Sequence, residues 1–380
     1  RSVRTLLVAA INYESTWRIE EDLAEWAPDL IICDESQRIK NPRAAQSKAL
    51  HRLGDRTPYK LILSGTPVSN SPLDLWSQYR FLNPRVFGTS YFQFEKKHAV
   101  MGGPVIGGKP RKLMGYRDLD GIMERAYSIA SRATKADALD LPEKTFENRP
   151  VHLSPAETRA YRQMQYESLT WLGAHEATAS NVLAKMSKLQ QITGGFLKPD
   201  DGGLTQQLGS SKLDALRDIV EDYVLEEGRK LVVFFRFKAE GRAICRLLDE
   251  TLKVPMGCPP AYGFIDGSVT QVEREDAVKR FQTSPDSKVF VTNMATGGSG
   301  ITLNESSAMV FYSWNFSYMD YAQAQDRIHR IGQRHPCHYI HLVAPGTIDE
   351  HVLAALEAKQ DMAVSLVDDQ WKRIFEGGTG

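Results

Sequence analysis

The sequence predicts an α/β protein in which two blocks of parallel sheet are joined by a mostly helical section. Short, continuous apolar runs alternate with helix-length segments in two separate stretches, and residues 154–191 between them have a helical pattern. Continuous apolar runs are typical of parallel strands that are covered on both faces. The 380 residues are enough for two domains of this kind.

The first block is predicted near the start of the chain. Strands are predicted at residues 6–11, 30–33 and 60–63, with a helix over residues 15–25. From about residue 84 to residue 143 the pattern is looser. This part contains a turn-rich loop at residues 101–110 and a helix predicted at residues 118–130.

The helical section begins at Ser154, which has Glu157 three residues later in the register of a capping box. The second block then alternates more regularly. Its helices are predicted at residues 211–226, 239–250 and 272–281, and its strands at residues 230–235, 262–265, 288–292, 308–312 and 338–343. Strands that alternate with helices of this length predict a doubly wound parallel sheet.

Composition excludes several classes of protein. The chain has 47 Lys and Arg against 47 Asp and Glu, so any nucleic acid must be bound by a local groove, and a protein with no polyanion partner stays open. The four cysteines form no Cys-x-x-Cys pair, which argues against a zinc site or a disulfide scaffold. No apolar stretch approaches the roughly 20 residues of a membrane span, and no signal peptide opens the chain. We expect a location in the cytoplasm of a bacterial or virus-infected cell, or in the nucleus of a eukaryote.

An acidic pair ends the strand predicted at residues 30–33. Asp34 and Glu35 follow it directly, and ligands of open α/β sheets lie beyond the carboxyl ends of the strands. Mg²⁺ prefers a few protein carboxylates together with substrate phosphate oxygens. We interpret both residues as facing the metal, with Asp34 binding it largely through water and Glu35 positioning or deprotonating an attacking water. Taken alone, such a pair would be better explained as a plain turn.

A second polar segment, residues 63–70, follows the next predicted strand. Ser64 and Thr66 carry hydroxyls that both donate and accept hydrogen bonds. We predict that they couple the acidic pair to the neighbouring domain. A Ser/Gly/Pro turn without such a role is the alternative.

A glycine-rich loop follows the strand predicted at residues 288–292. Gly297, Gly298 and Gly300 let backbone amides approach a phosphate or ribose closely, since no Cβ intervenes. These glycines are the candidate cofactor-binding residues. A tight turn is the alternative.

Two arginines three residues apart lie within residues 318–334. On a helix Arg327 and Arg330 would share one face, with Gln323 one turn before Arg327. Paired guanidiniums suit a phosphate that gains charge during transfer, because each is a planar fork that cannot lose its proton. All three are candidate catalytic residues. The alternative is the solvated basic face of an amphipathic helix.

In order and spacing, these motifs resemble those of the SWI/SNF-type (Snf-two family) DNA-dependent ATPases, a branch of helicase superfamily two, from Leu6 to about Leu366. The resemblance implies two RecA-like lobes, with ATP and Mg²⁺ in the cleft between them and the two arginines reaching across it to ATP. It also implies double-stranded DNA as the track of a monomeric motor. The chain departs from the family where residues 293–296 read Asn-Met-Ala-Thr in place of the usual Ser-Thr-Arg-Ala.

The resemblance also implies DNA contacts in the second block. Residues 234–237 and 265–268 match the family's fourth motif and the loop after it, which lie near DNA phosphates. The candidate DNA-binding residues are Arg236, Lys238, Asp266, Gly267, Ser268, Trp314 and Asn315.

The same resemblance gives a domain organisation. Residues 1–150 are expected to form the C-terminal part of the first RecA-like lobe, with a helical insertion. Residues 151–205 are expected to form a helical connector, residues 206–345 the second lobe, and residues 346–380 a brace helix and tail.

One motif of the family is missing before Asp34: the phosphate-cradling loop Gly-x-x-x-x-Gly-Lys-Thr. Residues 103–110 fit part of it, but Pro110 replaces the hydroxyl residue, no strand leads in, and the segment falls after the acidic pair. We interpret that segment as a loop. We therefore expect a piece of a longer protein, with an incomplete first lobe, that alone binds ATP poorly and does not hydrolyse it.

Three functions stay open. The leading one is an ATP-dependent translocase that couples hydrolysis to movement on duplex DNA. A strand-separating helicase or a restriction-system motor shares the order of motifs, although residues 330–333 and Asn70 favour the SWI/SNF type. A non-hydrolysing relic that binds nucleotide or DNA would explain the missing loop, but not the joint presence of Asp34, Glu35, Arg327 and Arg330.

Overall fold

The computed structural model describes residues 6–68, 71–102, 112–133, 138–174, 179–199, 203–253, 259–294, 300–315 and 317–367. The chain divides into two compact units. The first comprises Arg1–Arg132 and Ala358–Gly380, and the second comprises Ala133–Glu357.

The first unit contains short helices around small sheets. Its helices are α1 (Tyr13–Thr16), α2 (Glu20–Trp26), α3 (Ala45–Arg56), α4 (Asp74–Leu82), α5 (Pro84–Phe87), α6 (Tyr91–His98) and α7 (Leu119–Tyr127). Its strands are β1 (Leu30–Cys33), β2 (Tyr59–Ile62), β3 (Ala99–Gly102) and β4 (Lys112–Tyr116), and a 3₁₀ turn covers Ser36–Ile39. Strands β1 and β2 pair in parallel, whereas β3 and β4 form an antiparallel hairpin.

The sheet of β1 and β2 is covered on one face. Cys33 packs there against Ile39, Leu50 and Phe81. On the opposite face Ile32 is 53% exposed, and Leu30, Tyr59 and Leu61 are exposed with it. The expectation of a sheet covered on both faces is therefore wrong for this unit within the described residues.

The strand predicted at residues 6–11 is also wrong, because these residues have no regular secondary structure. Leu6 and Val8 are exposed. An apolar run becomes a strand only where a neighbour takes up its backbone hydrogen bonds. Within the described residues, β1 and β2 pair only with each other.

The second unit begins with strand β5 and two long helices that pack against each other. Its first elements are β5 (Lys144–Pro150), α8 (Pro155–Ala174), α9 (Ala179–Thr193), β6 (Phe196–Leu197), β7 (Gln206–Gln207) and α10 (Ser211–Val220), which continues as a π-helical turn over Glu221–Glu226. The remaining elements are β8 (Leu231–Phe235), α11 (Lys238–Leu252), β9 (Tyr262–Ile265), α12 (Gln271–Thr283), β10 (Val289–Asn293), β11 (Ala308–Phe311), α13 (Tyr318–Gln325), β12 (Cys337–Val343) and the start of α14 (Ile348–Val367), whose residues from Ala358 onward are counted with the first unit.

Six strands of this unit form one parallel sheet in the order β5-β12-β11-β8-β10-β9. Every side chain of the central strand β8 is buried, and Val233 and Phe235 belong to the main core. The prediction of an α/β fold with RecA-like parallel sheet is confirmed. One strand of this sheet, β5, falls within the residues assigned by the sequence to the first lobe, yet it pairs with β12 of the second unit.

The capping box predicted at Ser154 is confirmed. The Ser154 amide donates to Glu157 Oε2 at 2.8 Å, and the Glu157 amide donates to Ser154 Oγ at 3.3 Å. The Ser211 hydroxyl also donates to Glu157 Oε2, which joins the start of α10 to the start of α8. A buried carboxylate thus joins the start of the helical section to the start of α10.

The start of α14 is held by a buried ion pair. Lys212 Nζ lies 2.7 Å from Asp349 Oδ2, and both side chains are almost fully buried. Thr193 Oγ1 donates to Asp349 Oδ1 at 2.9 Å. A buried pair of this kind is sensitive to loss of either partner, because the remaining charge is left uncompensated.

Within the described residues, no helix is both long enough and apolar enough to cross a membrane.

Candidate functional site

The acidic pair lies at the carboxyl end of β1, where the sequence predicts it. Asp34 is exposed and Glu35 is half-buried. The Glu35 backbone is left-handed, with φ of 51° and ψ of 51°. For a residue other than glycine this conformation costs on the order of 1–3 kcal/mol and persists only where the surroundings impose it.

Hydrogen bonds hold both sides of this turn. The Tyr13 hydroxyl donates to the Asp34 carbonyl at 2.6 Å, and the Ser36 amide donates to the Leu63 carbonyl at 2.9 Å. Asp34 Oδ1 accepts from the Glu35 amide at 3.0 Å. The turn that carries the acidic pair is therefore fixed to α1 on one side and to the end of β2 on the other.

A chain of side-chain hydrogen bonds joins Glu35 to the predicted coupling residues. Gln37 Nε2 donates to Glu35 Oε2 at 2.5 Å, and Ser64 Oγ donates to Gln37 Oε1 at 2.6 Å. Ser64 Oγ in turn accepts from the Thr66 amide at 3.1 Å. Gln37 is buried, so its amide is held in one orientation by these two partners. A displacement of the Ser64 loop would be transmitted to the Glu35 carboxylate through Gln37.

Two residues of this region carry no predicted role: Gln37 and Tyr13. Gln37 stands in the motif two positions after Glu35, and a polar side chain in the first turn after an acidic pair is the only signal that the sequence offers. Burial raises the pKa of the Tyr13 hydroxyl well above its ordinary value, so it stays protonated and able to donate. Burial also raises the pKa of the neighbouring Cys33 thiol to about 12, which leaves it an unreactive core side chain.

The two arginines lie beyond a helix, and this corrects the prediction that they share one helical face. Helix α13 ends at Gln325, and Arg327 and Arg330 follow in a series of turns. They nevertheless converge: Nη1 of Arg327 and Nη1 of Arg330 both donate to the Ile301 carbonyl, at 3.1 and 3.3 Å. Arg330 Nη1 also lies 3.1 Å from Thr302 Oγ1.

Neighbouring segments contact the backbone carbonyls at the end of the helix and just beyond it. The Tyr339 hydroxyl donates to the Gln325 carbonyl at 2.9 Å, and the Leu303 amide donates to the Arg327 carbonyl at 2.9 Å. The buried side chain of Gln333 also stabilises these turns. Its Nε2 lies within 3.1 Å of the carbonyls of Asn304, Ser306 and Ile328 and donates to them. Gln323 lies close to Arg327, as its spacing in the sequence suggests, since the Gln323 carbonyl accepts from Arg327 Nε at 3.0 Å.

The two arginines therefore bind the backbone at the end of the glycine-rich loop. Gly300 has φ of +74°, a conformation that favours glycine, and Ile301 follows it directly. The predicted residues Gly297 and Gly298 lie outside the described residues.

Comparison with known proteins identifies the family. The sequence-family model of the SNF2-related domain matches residues 3–194, which is half of the chain. The sequence-family model of the helicase conserved C-terminal domain matches residues 211–332. The chain belongs to the SNF2-related family.

The SNF2-related chain is similar to proteins of several kingdoms. It is 27% identical over 374 residues to YwqA of Bacillus subtilis (strain 168), whose name refers to an ATP-dependent helicase/translocase; the match covers 96% of this chain and 38% of that protein. It is 26% identical over 347 residues to the DNA annealing helicase and endonuclease ZRANB3 of Mus musculus, covering 91% of this chain and 30% of that protein. The chain thus spans well under half the length of these curated relatives.

Among solved structures, the chain is similar to the Sulfolobus solfataricus SWI2/SNF2 ATPase core in complex with dsDNA. The sequence identity is 28% and the TM-score is 0.48. The match covers 96% of this chain and 74% of that chain.

The residues predicted to contact DNA occupy varied environments in the SNF2-related chain. The Arg236 guanidinium donates to Gln190 Oε1 and lies 4.9 Å from the Phe237 ring centroid, whereas Lys238 is exposed. Trp314 is 2% exposed, so its ring belongs to the core. The remaining predicted residues lie outside the helices and strands: Asp266 Oδ1 accepts from the Ser268 amide across Gly267, and Asn315 Nδ2 donates to Asp320 in the first turn of α13.

The usual family sequence before the glycines is replaced here, and the structure gives Asn293 a local role. Asn293 Nδ2 donates to the Arg236 carbonyl at 2.7 Å. The side chain therefore ties the end of β10 to the end of β8. A serine hydroxyl at this position would be too short to replace an amide that reaches across to the neighbouring strand.

Glu240 in α11 is fully buried and caps its own helix. Its Oε2 accepts from the amides of Arg236 and Phe237, at 3.1 and 2.9 Å, and from the Ser313 hydroxyl. Burial raises the pKa of Glu240 to about 7, against 4.5 for the ordinary carboxyl. The native state thus binds a proton more tightly than the unfolded state does.

Glu240 is expected to make the second unit less stable as the pH rises. Because the native pKa exceeds the unfolded one, its contribution to the free energy of unfolding is fully present below about pH 4.5 and is lost as the pH rises through about 7. Glu240→Gln, which stays neutral, should gain up to about 3 kcal/mol relative to the parent between pH 5 and pH 8. Urea unfolding at a series of pH values measures this difference. Glu250→Gln, exposed on the same helix, is the control, and parallel pH profiles for Glu240→Gln and the parent would contradict the expectation.

Proposed function

We propose that this chain carries the hydrolytic and coupling residues of an ATP-dependent motor that moves on double-stranded DNA. Membership of the SNF2-related family supports the class of activity. The observation that carries the proposal is the chain of hydrogen bonds from Glu35 through Gln37 to Ser64 and Thr66. A motor needs such a link, because the state of the hydrolytic carboxylate must be communicated to a loop that can move.

The acidic pair has the chemistry that Mg²⁺ and ATP require. Asp34 is exposed, and one or two carboxylates are enough for Mg²⁺ when phosphate oxygens and waters complete its shell. Within the described residues, no cluster of three or more His, Cys, Asp or Glu offers a richer metal site. Bound Mg²⁺ would neutralise phosphate charge. Asp34 would hold it, and Glu35 would also face it while accepting a proton from the attacking water.

The two arginines suit the stabilisation of the phosphate group during hydrolysis. Arg327 and Arg330 stay charged at any physiological pH, and their planar forks match phosphate oxygens. They share the Ile301 carbonyl as an acceptor, so both are pre-positioned on one loop. The proposal requires that Asp34 and Glu35 of the first unit act on the same ATP molecule as these arginines.

Double-stranded DNA is proposed as the track on the basis of the family resemblance. The equal numbers of acidic and basic residues mean that the DNA contact must be local. Exposed Lys238 is better placed for such a contact than Arg236, whose guanidinium is already paired with Gln190. A monomeric motor that works wherever the DNA of its cell lies, in bacterial cytoplasm or in a nucleus, fits this proposal.

Hydrolysis assays on two preparations test the proposed function. The full-length gene product should hydrolyse ATP faster when duplex DNA is added. The 380-residue chain should hydrolyse it at least about a hundredfold more slowly, because its sequence contains no loop of the Gly-x-x-x-x-Gly-Lys-Thr type to hold the phosphates. Robust, Glu35-dependent hydrolysis by the 380-residue chain would contradict the second expectation.

A strand-displacement assay separates the translocase from the other candidates. A translocase should move on duplex DNA without releasing a strand. Displacement of a strand by the full-length protein alone would favour the strand-separating helicase. If the full-length protein bound nucleotide or DNA but hydrolysed no ATP, the non-hydrolysing relic would become the better description.

A further inference from the structure

A glutamine of α4 lies beneath the acidic turn and is completely buried. Gln78 Oε1 accepts from Ser36 Oγ at 2.8 Å. Gln78 Nε2 donates to the Pro67 carbonyl at 2.7 Å and to the Asp74 carbonyl at 2.9 Å. Both protons and the oxygen of the amide are therefore used, and the side chain has one orientation.

Gln78 joins two segments that carry proposed functional residues. Ser36 directly follows Glu35 and is itself fully buried, and Pro67 directly follows Thr66. The connection runs beneath the turn and shares no atom with the link through Gln37. Within the described residues, the acidic turn is thus tied to the segment of Ser64, Thr66 and Pro67 through Gln78 as well as through Gln37.

The burial of an amide at this position needs an explanation. Leu75, Trp76 and Tyr79 of the same helix belong to the apolar core of the first unit. Burying an amide among such residues is unfavourable unless its hydrogen bonds are made. An apolar side chain would fill the same space without that cost. We therefore attribute the presence of the amide to its hydrogen bonds with the two segments that it connects.

We propose that Gln78 is a positioning residue for hydrolysis, an inference that rests on the proposed function. The strained backbone of Glu35 persists only where neighbouring groups impose it. Tyr13 fixes the chain before Glu35, and Gln78 fixes it after Glu35 through Ser36. Gln78 acts by holding the Glu35 carboxylate in line with the Ser64–Thr66 loop and does not itself touch the reacting groups.

The test uses Gln78→Met, which keeps the length and approximate volume of the side chain but makes no hydrogen bonds. In the full-length protein kcat for ATP should fall by about 10- to 100-fold, the effect expected when a reacting group is misplaced by about 1 Å. The KM for ATP should stay within about threefold, since Gln78 is not proposed to bind substrate. In the 380-residue chain, the Ser36 amide should exchange with solvent at least about tenfold faster.

Ser77→Ala provides the matched control. Ser77 is the preceding residue of α4, is equally buried, and makes its side-chain hydrogen bond to His51 and not to the acidic turn. This variant should retain kcat within about twofold and should leave exchange of the Ser36 amide unchanged. Both variants are compared by thermal unfolding, so that a general loss of stability is seen separately.

Two outcomes would overturn the inference. One is a kcat for Gln78→Met within twofold of the parent. The other is a loss of kcat that matches the loss in Ser77→Ala or follows the folded fraction of the variant, because either would indicate a structural role alone. Absence of hydrolysis in the unsubstituted full-length protein would instead contradict the proposed function, and the two failures are thereby distinguished.

Discussion

Arg330→Ala is expected to lower kcat for ATP hydrolysis in the full-length protein by about 10³- to 10⁵-fold, the loss typical of an arginine that stabilises a phosphoryl-transfer transition state. The guanidinium offers several donors and a permanent charge on a loop that its partners hold firmly. Its present acceptors are the Ile301 carbonyl and Thr302 Oγ1, neither of which carries a full charge. Among the described residues these acceptors include no carboxylate, so transfer of the donors to phosphate oxygens would break no ion pair there. Steady-state hydrolysis at saturating ATP and DNA measures the effect.

Arg334→Ala is the control for this substitution. Arg334 lies in the same segment, carries the same charge and is exposed. It is expected to retain kcat within about twofold, because no role in the reaction is proposed for it. Hydrolysis by Arg330→Ala within tenfold of the parent would refute the role given to Arg330. A melting temperature well below that of Arg334→Ala would show that the loop itself had been lost.

Glu35→Gln is expected to abolish turnover while ATP binding is retained. Glutamine has nearly the shape of glutamate, and its side-chain oxygen can still accept from Gln37 Nε2. It cannot accept a proton from water, so the loss should fall on kcat and not on binding. Measurement of ATP binding by fluorescence anisotropy, alongside hydrolysis, separates the two effects.

Glu14→Gln controls for the loss of a negative charge near the same turn. Glu14 is exposed, and its carboxylate lies 3.6 Å from the Arg38 guanidinium. Surface pairs of this kind contribute little, so both ATP binding and kcat should stay near those of the parent. If Glu35→Gln hydrolysed ATP within tenfold of the parent, Glu35 would not be the proton acceptor. A large loss of ATP binding would assign it to substrate binding.

Most strands of the second sheet could be predicted because they are largely buried, as β8, β10 and β11 are. The predicted strand at residues 262–265 coincides with β9, and the strand at residues 230–235 differs from β8 by one residue. A parallel strand covered on both faces needs an uninterrupted apolar run, which leaves a clear local signal. The acidic pair could be placed because it directly follows an apolar run, although β1 is covered on one face only.

Other elements depend on partners that are distant in the chain and leave no such signal. Strand β5 reads Lys-Thr-Phe-Glu-Asn-Arg-Pro, with charged residues throughout, and becomes a strand through its pairing with β12. Helix α13 ends at Gln325, and the chain then turns so that Arg327 and Arg330 both reach the Ile301 carbonyl of a separate segment. Neither fact follows from the composition of the segment itself.

The sequence predicts the site residues whose side-chain type indicates their chemistry. It does not predict the residues that hold those side chains in position. Tyr13 reaches Asp34 across 21 residues, and Ser64 reaches Gln37 across 27. Gln78 reaches Ser36 across 42 residues. Tyrosine and glutamine occur in many roles, so only the convergence of separate segments reveals these contacts.

The pairing of β5 with β12 also bears on how the chain is made. Thr145 meets His338, which is added 193 residues later. At about 5–20 residues per second, roughly 10–40 s of synthesis separate the two strands. Throughout that time β5 lacks β12, its pairing partner in the described sheet, and Phe146, half-exposed even in the finished protein, is open to other chains. We therefore expect ribosome-bound chains that stop before residue 337 to aggregate more readily than chains that include residue 343.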